Sequence, residues 1–291
     1  MASNTEQLVR DVLAKVDIRV DGDRSWDIRV HNPGFYSRIL REGSLGLGES
    51  YMDGWWDAEH IDEFIHRILV SDVRQYVPRS FKSLRLLLAE KFFNRQKKDR
   101  AVEVADTHYN LGNDIFRVML DPRMVYTCAY WKEATTLAEA QEAKMDLICR
   151  KLGFERGMRV LDIGCGFGSF AKFAAERYGV SVVGIGNAHE QIDLGSELCK
   201  GLPVEIRFED YRDTKGSYDR IVSIGMFEAV GAKNFRKYME VVDRCLKDDG
   251  LFLLHTIGAN KPNKDPDAWT DKYIFPNGYL PTIAEIGRSI E

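Results

Sequence analysis

The sequence predicts an α/β protein in which a parallel sheet, covered by helices on both faces, follows a small, mainly helical domain. Three observations predict it. Residues 1 to about 90 carry helical-looking stretches with no strand–helix alternation, from about residue 105 short β-branched apolar runs alternate with amphipathic segments, and one of those runs enters a glycine-rich turn that opens directly into a helix. With 291 residues, 44% of them hydrophobic, the chain can build more than one core.

In the first region, 60–70 and 81–93 read as helices, and the glycine-rich run REGSLGLGESYMDGWWD reads as punctuation. The polar stretch NRQKKDRAVEVADTHYNLGND reads as a link, so domains are expected at 1–92 and 108–291, with 93–107 between them. Thr136 and Glu139 have capping-box spacing, and Leu137, Ala140, Leu147, Ile148 and Leu152 can share one face of the helix that follows. Strands are expected at 159–163, 181–185, 204–208, 219–224 and 251–257. Between them lie helices with Phe170, Ala174 and Tyr178 on one face, and Phe235, Met239 and Val242 on another. There is no internal repeat and no low-complexity segment.

Composition narrows the function classes. No stretch approaches the roughly 18 apolar residues of a membrane span, and the polar start MASNTEQLVRDVL lacks a signal peptide's apolar centre, so a cytoplasmic protein is expected. The cysteines, Cys128, Cys149, Cys165, Cys199 and Cys245, are odd in number and contain no CxxC pair, which indicates neither a disulfide framework nor a zinc site. A net charge of -4 argues against a general nucleic-acid binder. The charge is uneven, however: residues 81–100 hold seven basic and two acidic side chains, interleaved with Leu84, Leu87, Leu88, Phe92 and Phe93. Such a stretch is attracted to anionic lipid. The plainer alternative is that the leucines pack inside the small domain and the lysines are merely solvated.

In RVLDIGCGFGSFAKFAAERYG, Gly164, Gly166 and Gly168 let the backbone approach a ligand at the strand's carboxyl end, where open α/β sheets bind their substrates. The spacing is GxGxG and the second strand ends GIGNAHEQ without a ribose-binding acid, so the dinucleotide fingerprint is not met. The turn resembles the first motif of S-adenosylmethionine-dependent methyltransferases with the Rossmann-like fold, which hold the cofactor's methionine part there. Asp210, ending the third strand, would accept from an adenine amine, with Tyr211 beside the ring. On its own, either reads more readily as a surface residue.

A closer resemblance rests on REGSLGLGESYMDGWW, HYNLGNDIF, LDPRMVYTCAYW, VLDIGCGFG, RIVSIGMFEAVG, LLHTIG and YIFPNGYLP. These occur in the order found in bacterial cyclopropane-fatty-acid synthases and the related mycolic acid cyclopropane synthases, over nearly the whole chain. YTCAYW and KYIFPNG are not general methyltransferase features. The resemblance implies a class I S-adenosylmethionine-dependent methyltransferase sheet and methylene transfer to a cis double bond of an unsaturated phospholipid, at the inner face of the membrane. A homodimer fits the family. The lipid cation formed on the way must be kept from water and deprotonated by a small base close to the methyl carbon. The family uses bicarbonate, and its motifs place Cys128, Glu228, His255 and, through its backbone, Ile257 around that ion. Ionised Glu228 would accept the bicarbonate hydroxyl proton, while His255 and backbone N–H groups donate to the other oxygens. Taken singly, Cys128 reads as a small buried apolar residue and His255 as a satisfied core histidine. The cofactor contacts implied are Tyr126, Thr127, Asp162, Gly164, Cys165, Gly166, Gly186, Gln191, Asp210 and Tyr211.

The chain departs from the family pattern in two places. Ala229 stands where relatives usually carry histidine, and Gly186, Asn187 and Ala188 replace a Thr-x-Ser loop. The recognisable strands end at five, with Glu291 short of a family segment that contains a bicarbonate-binding tyrosine, so the fifth strand is expected to lie at an uncovered edge. Two rival readings follow: a methyltransferase for a soluble acceptor, which needs no bicarbonate set, and an inactive protein that binds lipid surface or cofactor.

Overall fold

The computed structural model describes residues 4–71, 76, 113–262 and 267–291. The 81–100 segment and the expected linker therefore lie outside the described residues. The chain divides into two compact units, Met1–Phe93 with Asp267–Ile274, and Asn94–Pro266 with Phe275–Glu291. The second boundary differs from the sequence expectation, which kept 108–291 together. Residues 267–274 join the first unit because Trp269 and Tyr273 find their partners there.

In the first unit, helices α1 (Asn4–Ala14), α2 (Gly34–Glu42), α3 (Ser44–Met52) and α4 (Ile61–Val70) surround a core that includes Ile18, Ile28, Phe35, Trp56 and Phe64, all nearly inaccessible. Strands β1 (Arg29–Val30) and β2 (Trp56–Asp57) form a short antiparallel ladder. The run read as punctuation is largely helix α3. Gly43 and Gly54 at its ends do turn the chain, with φ of 61° and 70°, but the two glycines inside the helix are there for contact: a Cβ on Gly46 would lie 2.6 Å from the carbonyl oxygen of Arg38, and one on Gly48 would collide with the indole of Trp269. At the same place Lys272 Nζ and Tyr273 Oη both donate to Glu49, at 2.5 and 2.9 Å.

The second unit begins with α5 (Asn113–Met119) and α6 (Leu137–Lys151). It then alternates through β3 (Arg159–Ile163), α7 (Ser169–Tyr178), β4 (Ser181–Gly186), α8 (His189–Leu198), β5 (Val204–Phe208), β6 (Tyr218–Ile224), α9 (Phe235–Cys245) and β7 (Leu246–His255), and ends with α10 (Ile283–Ile290). The sheet is parallel throughout in the order β5-β4-β3-β6-β7. Alternation of side chains sorts its core in two. Val160, Val182 and Val222 pack beneath α6 and α7 with Met145, Ile148, Phe170 and Phe173. Leu161, Ile163, Val183, Ile185 and Ile221 face Phe227, Phe235, Tyr238 and Val241.

Two local expectations need correction. The last strand runs 246–255 rather than 251–257, because it pairs twice with β6 around a bulge: Tyr218 faces Leu246 and Arg220 faces Leu251, so Lys247–Gly250 stand opposite Asp219 alone. Ile257 lies beyond its end. Helix α6 has the expected capping box, but Leu137 is exposed and Leu147 only half-buried, while the buried stripe is Ala140, Gln141, Lys144, Met145, Ile148 and Cys149. The inward face thus contains a glutamine and a lysine.

Candidate active site

The strand order reverses between β3 and β6, which makes the crevice beyond their carboxyl ends the natural ligand position of an open parallel sheet. Leaving β3, the chain passes Gly164, Gly166 and Gly168 with φ of 85°, 53° and 72°, a left-handed path that only glycine follows cheaply, and α7 starts at Ser169. The amides of Gly164 and Cys165 both donate to the Ile185 carbonyl, at 2.9 and 3.0 Å, tying the turn to the end of β4.

A cavity opens over this turn, and its wall includes all ten positions expected at a cofactor: Tyr126, Thr127, Asp162, Gly164, Cys165, Gly166, Gly186, Gln191, Asp210 and Tyr211. Asp162 is 1% exposed, and its Oδ2 has no hydrogen-bond partner among the described residues. Burial pushes its carboxyl up to about 7, against the opposing pull of Lys144. Asp210 accepts from the backbone N–H and the guanidinium of Arg212, both at 2.9 Å, so it is fastened in place at the cavity wall. Tyr211 is buried with its ring 5.0 Å from that of Tyr238. Tyr126 packs edge-on against Phe116, at 5.4 Å between ring centres.

Sequence reasoning missed Lys144, which also lines the cavity and is only 5% exposed. Its Nζ donates to Thr127 Oγ1 at 2.5 Å, and one turn earlier Gln141 Nε2 donates to the Thr127 carbonyl at 2.8 Å. Burial lowers the lysine to about 8, while Cys128, Asp121 and Asp162 act in the opposite direction. The signal was present: 141, 144, 145, 148, 149 and 152 follow helical i, i+3, i+4 spacing, and the apolar end of that stripe carries the two polar residues inward with it.

The four positions expected around a small base meet at the cavity's edge in two contacts, although none of them belongs to its wall. Cys128, next to Thr127, places Sγ 3.5 Å from His255 Nε2. Glu228, next to the wall residue Ala229, accepts at Oε1 from the Ile257 N–H at 2.7 Å. The Gly225 N–H donates to the His255 carbonyl at 2.9 Å, joining the ends of β6 and β7. Glu228 Oε2 and His255 Nδ1 are buried and without partners among the described residues. Burial, and then the charge of Lys144, holds His255 below the usual histidine range, with Glu228 acting the other way.

Cys128 is exposed, so the plain alternative of a small buried apolar residue does not hold: the segment carrying it leaves the core after Val125. One detail differs from expectation. The Ile257 N–H, expected to face an ion, is already engaged by Glu228, so Ile257 reaches the site through that carboxylate.

The family model described as mycolic acid cyclopropane synthetase matches residues 96–291. The chain is 50% identical over 288 residues to the cyclopropane-fatty-acyl-phospholipid synthase of Escherichia coli (strain K12), covering 99% of this chain and 75% of that one. Among solved structures, the cyclopropane synthase MmaA2 from Mycobacterium tuberculosis superposes with a TM-score of 0.61 at 33% identity, over 65% of this chain and 73% of that one. The mycolic acid cyclopropane synthase CmaA1, complexed with SAH and CTAB, gives 0.60 at 34% identity, over 65% and 72%.

Proposed function

The chain belongs to the mycolic acid cyclopropane synthetase family and is an S-adenosylmethionine-dependent methyltransferase, and from that premise we propose that it adds a methylene bridge across a cis double bond of a phospholipid acyl chain, with hydrogencarbonate as base. The observation that carries this reading is the pair of partnerless buried atoms, Glu228 Oε2 and His255 Nδ1, beside a cavity built for the cofactor. Buried polar atoms are normally satisfied, so an acceptor and a ring nitrogen left open at one edge suit a small ligand that can both donate and accept.

The residues present fit both groups. For the cofactor, the turn Gly164–Gly168 supplies close backbone approach, a Cβ on Gly166 would meet nothing, and the open Asp162 Oδ2 suits a cationic donor. When bound, the cofactor supplies an electrophilic methyl and the ion a base. The chain does the rest. Asp162 and the turn orient the methionine end, Gln191 and Asp210 stand along the wall toward the nucleoside end, and apolar Met226 and Phe167 keep water from the reacting region. Glu228, steadied by the Ile257 N–H, keeps one oxygen free to hold the base's proton, and His255, neutral near pH 7, has a nitrogen to offer at its other side.

No helix among the described residues is long and apolar enough to cross a membrane. The substrate is instead met at the bilayer's inner surface, with the basic, Leu- and Phe-rich residues 81–100 as the contact.

The test is mass spectrometry of unsaturated phospholipid vesicles incubated with the protein and cofactor, which should show the gain of one methylene per double bond. Glu228→Gln should lower turnover by about 10²–10⁴-fold while cofactor affinity stays within about twofold. Full turnover in that variant would assign the chain to an acceptor that needs no base, and cofactor binding without any mass gain would leave only a binding role.

A further inference from the structure

A cation buried in the wall of a cavity that receives a cationic cofactor is an electrostatic problem, and Lys144 poses it. Its Nζ has one hydrogen-bond partner, Thr127 Oγ1, out of three donors, and no carboxylate lies within ion-pair distance of it among the described residues. A charge taken out of water without a partner is costly, so a group that completes its shell is called for.

The chain of contacts shows on which side. Lys144 holds Thr127, the next residue Cys128 touches His255 Nε2, and His255 also feels both Lys144 and Glu228. An anion at that edge would sit beside the carboxylate of Glu228, and two negative charges in contact repel unless a positive one is close. His255 does not supply it, being held below its usual range by burial and by Lys144 itself. Arg212, the other cation of the wall, is fastened to Asp210. Asp162 and Asp121 are acids, and Lys151, which also acts on His255, is exposed at the far end of α6.

We propose that Lys144 is the resident countercharge of an anion subsite at the edge of the cofactor cavity, the group that allows hydrogencarbonate to settle next to Glu228. The inference rests on the reading of hydrogencarbonate as base, and adds a residue to it. Lys144 acts on the ion by charge and by positioning Thr127 and Cys128, with Gln141 holding the same segment from one turn away.

The experiment measures binding of ¹³C-labelled hydrogencarbonate by NMR line broadening in carbonate-depleted buffer, for the wild type, Lys144→Met and Lys144→Arg. Melting temperature and affinity for the neutral demethylated cofactor serve as controls. Lys144→Met should weaken the ion by about tenfold or more, as removing one partner of a buried charge pair does, while Lys144→Arg stays within about threefold. In Lys144→Met any loss for the neutral product should be at least about fivefold smaller than the loss for the ion. If Met at this position lowers the melting temperature, Lys144→Gln, which keeps an N–H donor without the charge, should weaken the ion equally. Unchanged ion binding in Lys144→Met overturns the proposal, as does an equal loss of ion and product, which would assign Lys144 to the cofactor wall. A wild type that binds no hydrogencarbonate refutes the base itself, and the inference with it.

Discussion

Asp162 illustrates how much one carboxyl can report. Burial holds its pKa near 7, whereas an unfolded chain would release that proton near the usual carboxylate value. The folded state therefore binds more protons between those values, so this residue's contribution to stability is present at low pH and is lost as pH rises through about 7. Binding a cationic cofactor demands the ionised form. Cofactor affinity should fall by about tenfold per pH unit below about 7 and level off above it, apart from a smaller rise as Lys144 loses its charge near 8. Calorimetric titration across that range checks the slope, and Asp162→Asn should flatten it while weakening the cofactor at every pH.

The β3–α7 turn gives a prediction in which two glycines of one motif part company. Gly164 and Gly166 both have positive φ, but a Cβ on the first would lie 2.5 Å from Met226 whereas the second has open space toward the cavity. Gly164→Ala should cost about 2–4 kcal/mol of stability, combining left-handed strain with overpacking, read as a lower denaturant midpoint. Gly166→Ala should cost only about 1 kcal/mol of stability, yet weaken the cofactor about tenfold because its methyl occupies ligand space. This turn and the strands around it were legible in the sequence because their signals are local: a short run rich in apolar residues, then glycines, then an amphipathic helix. The ten positions expected at a cofactor line one cavity for the same reason, since most hang from strand ends. What was illegible depends on distant partners. The glycines of α3 make sense only against Arg38 and Trp269, the start of β7 only against Tyr218, and the value of Lys144 only beside Thr127. The bond from the Ile257 N–H to Glu228 was likewise illegible, since it joins residues 29 apart in the chain.

For the molecule as a whole, net charge misleads. The chain carries -4, yet residues 81–100 hold an excess of five positive charges among leucines and phenylalanines. Vesicles rich in anionic lipid should pull the protein down on sedimentation, and raising salt from about 0.05 to 0.5 M should release most of it, because the Debye length shrinks severalfold. Retention at high salt, or equal binding to neutral vesicles, would refute an electrostatic contact. The path of the chain has its own consequence. Trp269 and Tyr273 belong with α3 in the first unit, although the polypeptide reaches them only after the sheet of the second has been traced. On the ribosome, the part translated first is therefore completed only after most of the second unit has emerged. Its indole-filled seam stays open until residue 274 has emerged, and deleting 1–93 would leave residues 267–274 without their partners rather than release an independent enzyme.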